Sequence, residues 1–142
     1  MKSDHGFSLI ELLMVVAIIL IIATMAVPSL IRSRQAANEG AATANLRYIT
    51  TAQVSYSSRT SGTYGDFLDL VSDGLLDTRW NSATPVLSGY TYDLTVGSGT
   101  YTVLASPNGA SGRCAYATSE AGVITYSTAI SGCAGTPGNP VQ

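Results

Sequence analysis

The sequence is poor in the side chains on which most enzyme chemistry depends. Among its 142 residues are one histidine, one lysine and two cysteines, and charged residues make up 11%. It contains no nucleophile motif of the Gly-x-Ser-x-Gly type, no Cys-x-x-Cys pair and no phosphate-binding loop. The Gly-x-Gly at residues 97–99 opens a predicted strand rather than a helix, which indicates a hairpin turn. We therefore expect no catalytic residue, no cofactor, no metal ligand and no enzymatic activity.

Charge of either sign is also scarce. The formal net charge is −2, so a strongly basic surface and a specific nucleic-acid partner are not expected. The histidine, His5, and the lysine, Lys2, both lie within the first six residues. Without that segment the chain would contain no imidazole, and all its positive side chains would be arginines.

The apolar residues concentrate in residues 9–31, which we call the apolar segment. As a helix, the sixteen residues 12–27, apolar except for Thr24, span roughly 24 Å, and the flanking apolar residues extend them to membrane-spanning length. The one charge in this segment is Glu11. An ionised carboxylate deep in a bilayer costs about 2.5–3.5 kcal/mol, so we expect Glu11 to have a function.

Three simple explanations of the apolar segment compete. It could belong to a secretory signal peptide cleaved after Ala26, although Glu11 would then start the hydrophobic region and Pro28 would lie just past the cut. It could be a plain membrane anchor in which Glu11 is incidental. It could be a buried core helix, but a helix that is apolar on all sides requires a larger protein around it.

A fourth explanation rests on the sequence Gly-Phe-Ser-Leu-Ile-Glu-Leu at residues 6–12, followed by a long apolar run that ends near Pro28. This pattern resembles the class III signal of type IV prepilins. The resemblance implies that residues 1–6 are a leader, that a prepilin peptidase cuts after Gly6, and that the new terminus, Phe7, is N-methylated. It also implies that Glu11 is the carboxylate used in filament assembly. Lys2 as the sole strong positive charge of the leader is a departure from the usual basic leader.

The physical chemistry of the cut agrees with this assignment. Cleavage would give Phe7 a positive amine, and a filament core would desolvate both that amine and Glu11. Leaving either charge unpaired would cost several kcal/mol. We therefore expect Glu11 of one copy to neutralise Phe7 of another and so to fix the register between copies.

The resemblance further implies the major subunit of a type IV pilus. Its precursor would be held in the inner membrane with the C-terminal domain in the periplasm. After processing by prepilin peptidase, an assembly platform and motor would build it into a homo-oligomeric surface filament for adhesion, twitching motility or DNA uptake. The alternatives are a minor pilin or the major pseudopilin of a type II secretion system, which forms a periplasmic pseudopilus. Residues 77–80 are only distantly similar to the calcium-loop motif of some pseudopilins, which favours the pilus.

The remaining pattern predicts an α+β fold. We expect one helix over residues 7–58, in which residues 7–31 form the filament core and residues 32–59 are amphipathic, with a kink at Pro28. Residues 60–88 should form a loop with a short helix capped by Asp66 and stopped at Gly74. Residues 89–127 should form four antiparallel strands, at 89–96, 100–105, 114–118 and 123–127. The helix face expected to pack on this sheet carries Ala37, Ala41, Ala44, Tyr48 and Ala52.

This arrangement resembles the ladle fold of type IV pilins. The pair Cys114 and Cys133 in an exported chain predicts a disulfide that closes the C-terminal region, residues 128–142, whereas a cytosolic chain would have two free thiols. Residues 136–142 resemble a loose tail. The four aspartates at 66, 69, 73 and 77 allow a calcium site, but their spacing places them on one helix face, and a solvated face is the simpler expectation.

Overall fold

One helix, α1, occupies most of the N-terminal half and runs from Leu9 to Arg59. The computed structural model describes residues 7–127, 133 and 135–141, so the predicted leader, which includes Gly6, lies outside the described residues. The chain contains two compact units, Met1–Arg34 and Gln35–Gln142. Pro28 is inside α1, and a kink there stays a prediction.

In the first unit, α1 exposes its apolar side chains on every side. The large apolar side chains of the apolar segment are 46–80% exposed. This stretch is long and apolar enough to cross a membrane.

In the described part of the second unit, five strands form an antiparallel sheet in sequential order. The predicted meander is confirmed, but it has one strand more than expected. That strand, β1, is two residues long, too short for an alternating pattern to show in the sequence, and it joins β2 through a two-residue turn in which Ser88 and Gly89 have φ of 51° and 74°. The strands are β1 Val86–Leu87, β2 Tyr90–Val96, β3 Tyr101–Pro107, β4 Tyr116–Ser119 and β5 Thr125–Tyr126.

The inward face of the sheet is built from alternating residues, as the period-two pattern predicts. Tyr90 and Tyr92 on β2 and Val103 on β3 are fully buried, while the intervening Asp93 and Thr102 are exposed. These buried side chains share one hydrophobic core with α1.

The face of α1 that joins this core differs from the predicted one. Ala42, Leu46 and Ile49 are completely buried, whereas Ala44 is exposed and Tyr48 is 42% exposed. Burying the two large aliphatic side chains, Leu46 and Ile49, removes more apolar surface from water than burying alanines does, and this favours the observed face. Of the five residues predicted for this helix face, only Ala52 is buried.

A short helix, α2, runs from Phe67 to Ser72 as predicted. Asp66 and Asp69 cap it reciprocally: each carboxylate accepts a hydrogen bond from the other residue's backbone N–H, at 2.8 and 3.1 Å. Gly74 follows in the left-handed region, with φ of 70°. A 3₁₀ turn at Thr78–Trp80 was not predicted.

The C-terminal residues are held more firmly than predicted. The backbone N–H of Tyr126 donates to the carbonyl of Asn139 at 3.0 Å, and the N–H of Val141 donates to the carbonyl of Ile124 at 2.9 Å. For the described residues 136–141, the expectation of a loose tail is therefore wrong, because their backbone groups pair with the edge of β5.

Candidate functional site

Glu11 lies in the first turn of α1, where a carboxylate suits the free N–H groups of a helix start. Its Oε2 accepts a hydrogen bond from the backbone N–H of Ser8 at 2.9 Å. This is one half of a capping box, and the negative charge also complements the positive end of the helix dipole. Phe7 precedes the helix and is 83% exposed.

The apolar segment surrounds this carboxylate with a surface that water solvates poorly. Within residues 7–31, Glu11 is the one charged side chain in the sequence. Any partner that covers the apolar segment also desolvates Glu11, which then requires a positive group. The structure brings Phe7 and Glu11 to the same end of one helix, while the predicted cleavage at Gly6–Phe7 and the methylation of Phe7 stay predictions.

The four aspartates considered for calcium are used in other ways. Asp66 and Asp69 cap α2, and Asp73 lies 3.7 Å from a guanidinium nitrogen of Arg59. Asp77 forms an ion pair of 2.7 Å with Arg79, and hydrogen bonds from Arg79 lower the pKa of the Asp77 carboxyl. In the part of the chain that the structure describes, no group of three or more His, Cys, Asp or Glu side chains is placed to hold a metal ion.

The predicted disulfide is present. Cys114 and Cys133 are bonded, with their Cα atoms 5.0 Å apart, and Cys114 is 5% exposed. The hydroxyl of Tyr90 donates a hydrogen bond of 2.8 Å to the carbonyl of Cys114, which ties the disulfide to β2. A side chain on the neighbouring Gly112 would overlap this hydroxyl.

A set of contacts between α1 and the loop that precedes Cys114 was not predicted. Side chains one helical turn apart on α1 bind backbone groups of the loop between β3 and β4. Gln35 donates to the carbonyl of Ala110 at 3.0 Å, and Asn38 donates to the carbonyl of Ser111 at 2.8 Å. These partners lie 75 and 73 residues apart, so no local pattern in the sequence reveals them.

Glu39 completes this set of contacts with a charged group. Its Oε1 accepts a hydrogen bond from the backbone N–H of Arg113 at 2.7 Å, and its Oε2 lies 3.3 Å from the guanidinium of the same residue. The hydrogen bond to Glu39 raises the pKa of Arg113. The loop that leads into Cys114 is thus fixed on the helix by three side chains.

Comparison with known proteins places this geometry in context. Residues 1–27 match the family model described as the prokaryotic N-terminal methylation motif. The chain is 32% identical over 130 residues to the type IV wide pilus major component PilA4 of Thermus thermophilus, an alignment that covers 92% of this chain and 93% of that relative.

A second relative is similar over a shorter stretch. The chain is 42% identical over 64 residues to the type IV major pilin protein PilA of Myxococcus xanthus, which is 45% of this chain and 29% of that relative. The first alignment is the one that spans most of both chains.

Proposed function

This chain belongs to the type IV pilin family of structural, non-enzymatic subunits, and from that premise we propose that it is the major subunit of a type IV pilus. The observation that carries the proposal is the exposed apolar segment with a single carboxylate, Glu11, in its first turn. A surface of this kind requires either lipid or other apolar helices around it. A precursor held in the membrane surrounds this segment with lipid. The same chain built into a filament surrounds it with other apolar helices.

Processing is the first step of the proposal. A prepilin peptidase cuts between Gly6 and Phe7 and methylates the amine of Phe7. The family model that matches residues 1–27 supports this step, since it describes an N-terminal methylation motif. Before assembly, the apolar segment holds the chain in the inner membrane and the second unit lies in the periplasm.

Assembly is the second step, and it uses charge as well as apolar burial. An assembly platform and motor move the processed chain into a homo-oligomeric filament in which the apolar segments pack together. The amine of Phe7 and the carboxylate of Glu11 on a neighbouring copy neutralise each other there, because a buried charge without a partner costs several kcal/mol. Pro28 supplies a kink that adapts α1 to this packing.

The surface of the filament consists of the second unit, and adhesion, twitching motility and DNA uptake are the uses proposed for it. The alternative of a type II pseudopilin is not favoured, because both relatives are named as type IV pilus proteins.

An intact-mass measurement on the purified chain tests the processing step. We expect the loss of residues 1–6, the gain of one methyl group, and two hydrogens fewer than the dithiol form. A mature terminus at Val27 would instead establish a conventional signal peptide and overturn the proposal.

A pair of substitutions tests the assembly step. Glu11→Ala should abolish surface filaments in electron micrographs, because the Phe7 amine loses its partner. Glu120→Ala removes an exposed glutamate in the second unit and should leave filament number unchanged. Normal filaments from Glu11→Ala would show that the carboxylate has no role in assembly.

A further inference from the structure

The loop between β3 and β4 begins with an asparagine, Asn108, that is directly followed by a glycine. The chain has five asparagines, and the residues that follow them are Glu39, Leu46, Ser82, Gly109 and Pro140. A glycine has no side chain to shield its peptide nitrogen or to restrict its backbone. The side-chain amide of Asn108 is therefore the one most accessible to attack by the peptide nitrogen of the next residue.

Both residues of this pair lie at the surface. Asn108 and Gly109 are exposed, and a short 3₁₀ turn follows at Gly109–Ser111. The side chain of Asn108 does not cap this turn, and its Oδ1 accepts a hydrogen bond of 2.9 Å from the hydroxyl of Thr91. Gly109 has φ of 56°, a conformation that favours glycine. Water therefore reaches both the side-chain amide and the peptide bond beside it.

We infer that Asn108 is a site of spontaneous deamidation and that the contact between its loop and α1 limits the rate. The nitrogen of Gly109 attacks Cγ of Asn108, and the new C–N bond closes a succinimide ring. The side-chain nitrogen leaves as ammonia and takes the proton of the peptide N–H. Water then opens the ring at one of its carbonyls, which gives aspartate or isoaspartate. The inference does not depend on the proposed function, because the chain and water are the only reactants.

The folded loop holds Asn108 away from the reactive geometry. Ring closure requires the nitrogen of Gly109 to eclipse Cβ of Asn108 about the Cα–C bond, and the observed ψ of 106° is roughly 130° from that position. A backbone hydrogen bond fixes each side of this rotation. The N–H of Asn108 donates to the carbonyl of Gly89 at 2.8 Å, and the N–H of Ser111 donates to the carbonyl of Asn108 at 3.1 Å. The reaction therefore requires the loop to open locally.

Side chains of α1 oppose this opening. Asn38 donates to the carbonyl of Ser111 at 2.8 Å, and Ser111 is the residue whose N–H holds the carbonyl of Asn108. Gln35 and Glu39 bind the same loop on either side of this contact. The net contribution of one hydrogen bond corresponds to a factor of about two to ten in an equilibrium constant. Removing one of these contacts should therefore raise the population of the open loop by about that factor.

Both products change the loop that leads into Cys114. Aspartate adds one negative charge to a chain whose formal net charge is −2. Isoaspartate adds the same charge and also routes the main chain through the former side chain, which inserts a methylene and lengthens the backbone by about 1.5 Å. Because ammonia is lost, the modified fraction increases with the age of the folded chain.

Incubation of the full-length chain in detergent and ¹⁸O-labelled water, followed by digestion in ordinary water and mass spectrometry, tests the modification. We expect the peptide with Asn108 to gain about 3 Da, since a labelled hydroxyl replaces the amide nitrogen, and to gain it faster at alkaline than at neutral pH. Asn81, which is exposed and precedes Ser82, should react more slowly. Asn108→Gln should abolish the label, because its longer side chain does not form a succinimide. Label at Asn108 that does not exceed label at Asn81 overturns the inference.

Two asparagines of α1 provide a matched pair of substitutions for the effect of the helix. Asn38 binds the loop, whereas Asn45 donates to the hydroxyl of Tyr92 on β2 at 3.0 Å. Asn38→Ala should raise the rate at Asn108 about two- to tenfold, and Asn45→Ala should leave it unchanged. The rate at Asn81 should be the same in both variants, which excludes general unfolding as the cause. Equal rates at Asn108 in the two variants contradict the inferred control by α1.

Discussion

The carboxylate of Glu39 on α1 accepts a hydrogen bond of 2.7 Å from the backbone N–H of Arg113, the residue before Cys114. One charged side chain thereby joins the long helix to the loop that leads into Cys114, across 74 residues of sequence. The Glu39 side chain is 13% exposed, against 47% for that of Arg113, so water competes weakly for the carboxylate. The stability of the second unit should therefore depend on this residue.

We expect Glu39→Gln to lower the thermal midpoint of the full-length chain in detergent by several degrees. The amide keeps the shape of the side chain but weakens the hydrogen bond to the backbone N–H, because charged acceptors bind more strongly than neutral ones. Glu120→Gln, at an exposed turn residue, is the matched control and should leave the midpoint unchanged. Equal midpoints for the two variants would show that the Glu39 contact adds no stability.

The buried face of α1, which carries Ala42, Leu46 and Ile49, should dominate the packing of α1 on the sheet. Leu46 is completely buried, and Leu46→Ala should reduce the free energy of unfolding by about 2–5 kcal/mol, since it removes apolar contacts and leaves a cavity. Val54 is 58% exposed on the same helix, and Val54→Ala should change it by less than about 0.5 kcal/mol. Denaturant unfolding of the full-length chains compares the two, and a larger effect at Val54 would mean that the helix faces are wrongly assigned.

The disulfide should stabilise the second unit because it closes a loop of sequence separation 19. Replacing both Cys114 and Cys133 by serine should cost about 2–5 kcal/mol of unfolding free energy. Adding a reductant to the wild-type chain should lower its stability towards that of the double variant, which should not respond to the reductant. A wild-type chain that is insensitive to complete reduction would contradict the prediction.

Alkaline pH should destabilise the fold through its buried tyrosines. Burial raises the pKa of the Tyr116 hydroxyl to about 12, from about 10 in an unfolded chain, and burial also raises the pKa of Tyr92. Between pH 10 and 12 the unfolded state therefore binds fewer protons than the folded state, and stability falls as the pH rises. Tyr116 alone should account for roughly 2–3 kcal/mol, fully present below about pH 9 and lost above pH 12.

Tyr116→Phe should flatten this alkaline loss, because the phenyl ring retains the packing but has no proton to release. The exposed Tyr48 supplies the control, and Tyr48→Phe should leave the slope unchanged. Unfolding free energies measured from pH 8 to 12 provide the comparison, and identical slopes for Tyr116→Phe and the wild type would rule out Tyr116 as a source of the pH dependence.

Sequence patterns located the elements governed by neighbouring residues. The length of α1, the cap at Asp66, the stop at Gly74 and the alternation of Tyr90 and Tyr92 all follow from spacings of a few residues. The disulfide followed from the export signal together with a lone cysteine pair. The order of the strands followed from the short turns between them.

Features that depend on distant parts of the chain were missed or misplaced. Whether Ala44 or Leu46 faces the sheet depends on how much apolar area each side chain can bury there. The spacing of apolar residues along the sequence does not include this area. The Glu39–Arg113 contact joins segments on either side of β2 and β3, and β1 has too few residues to show a period. Of the predicted site residues, Glu11 is singled out by the sequence because a charge within an apolar run stands out locally, and its role in assembly stays a prediction.

The fold-back of residues 138–141 also affects how the chain can aggregate. Three N–H groups, on Tyr126, Gly138 and Val141, join residues 138–141 to the segment around β5. The other margin of the sheet is the two-residue β1, directly preceded by Pro85. In the described part of the chain, therefore, neither margin offers a long row of free backbone groups, the template on which cross-β stacking grows. The margins of this sheet are thus protected from amyloid-like growth.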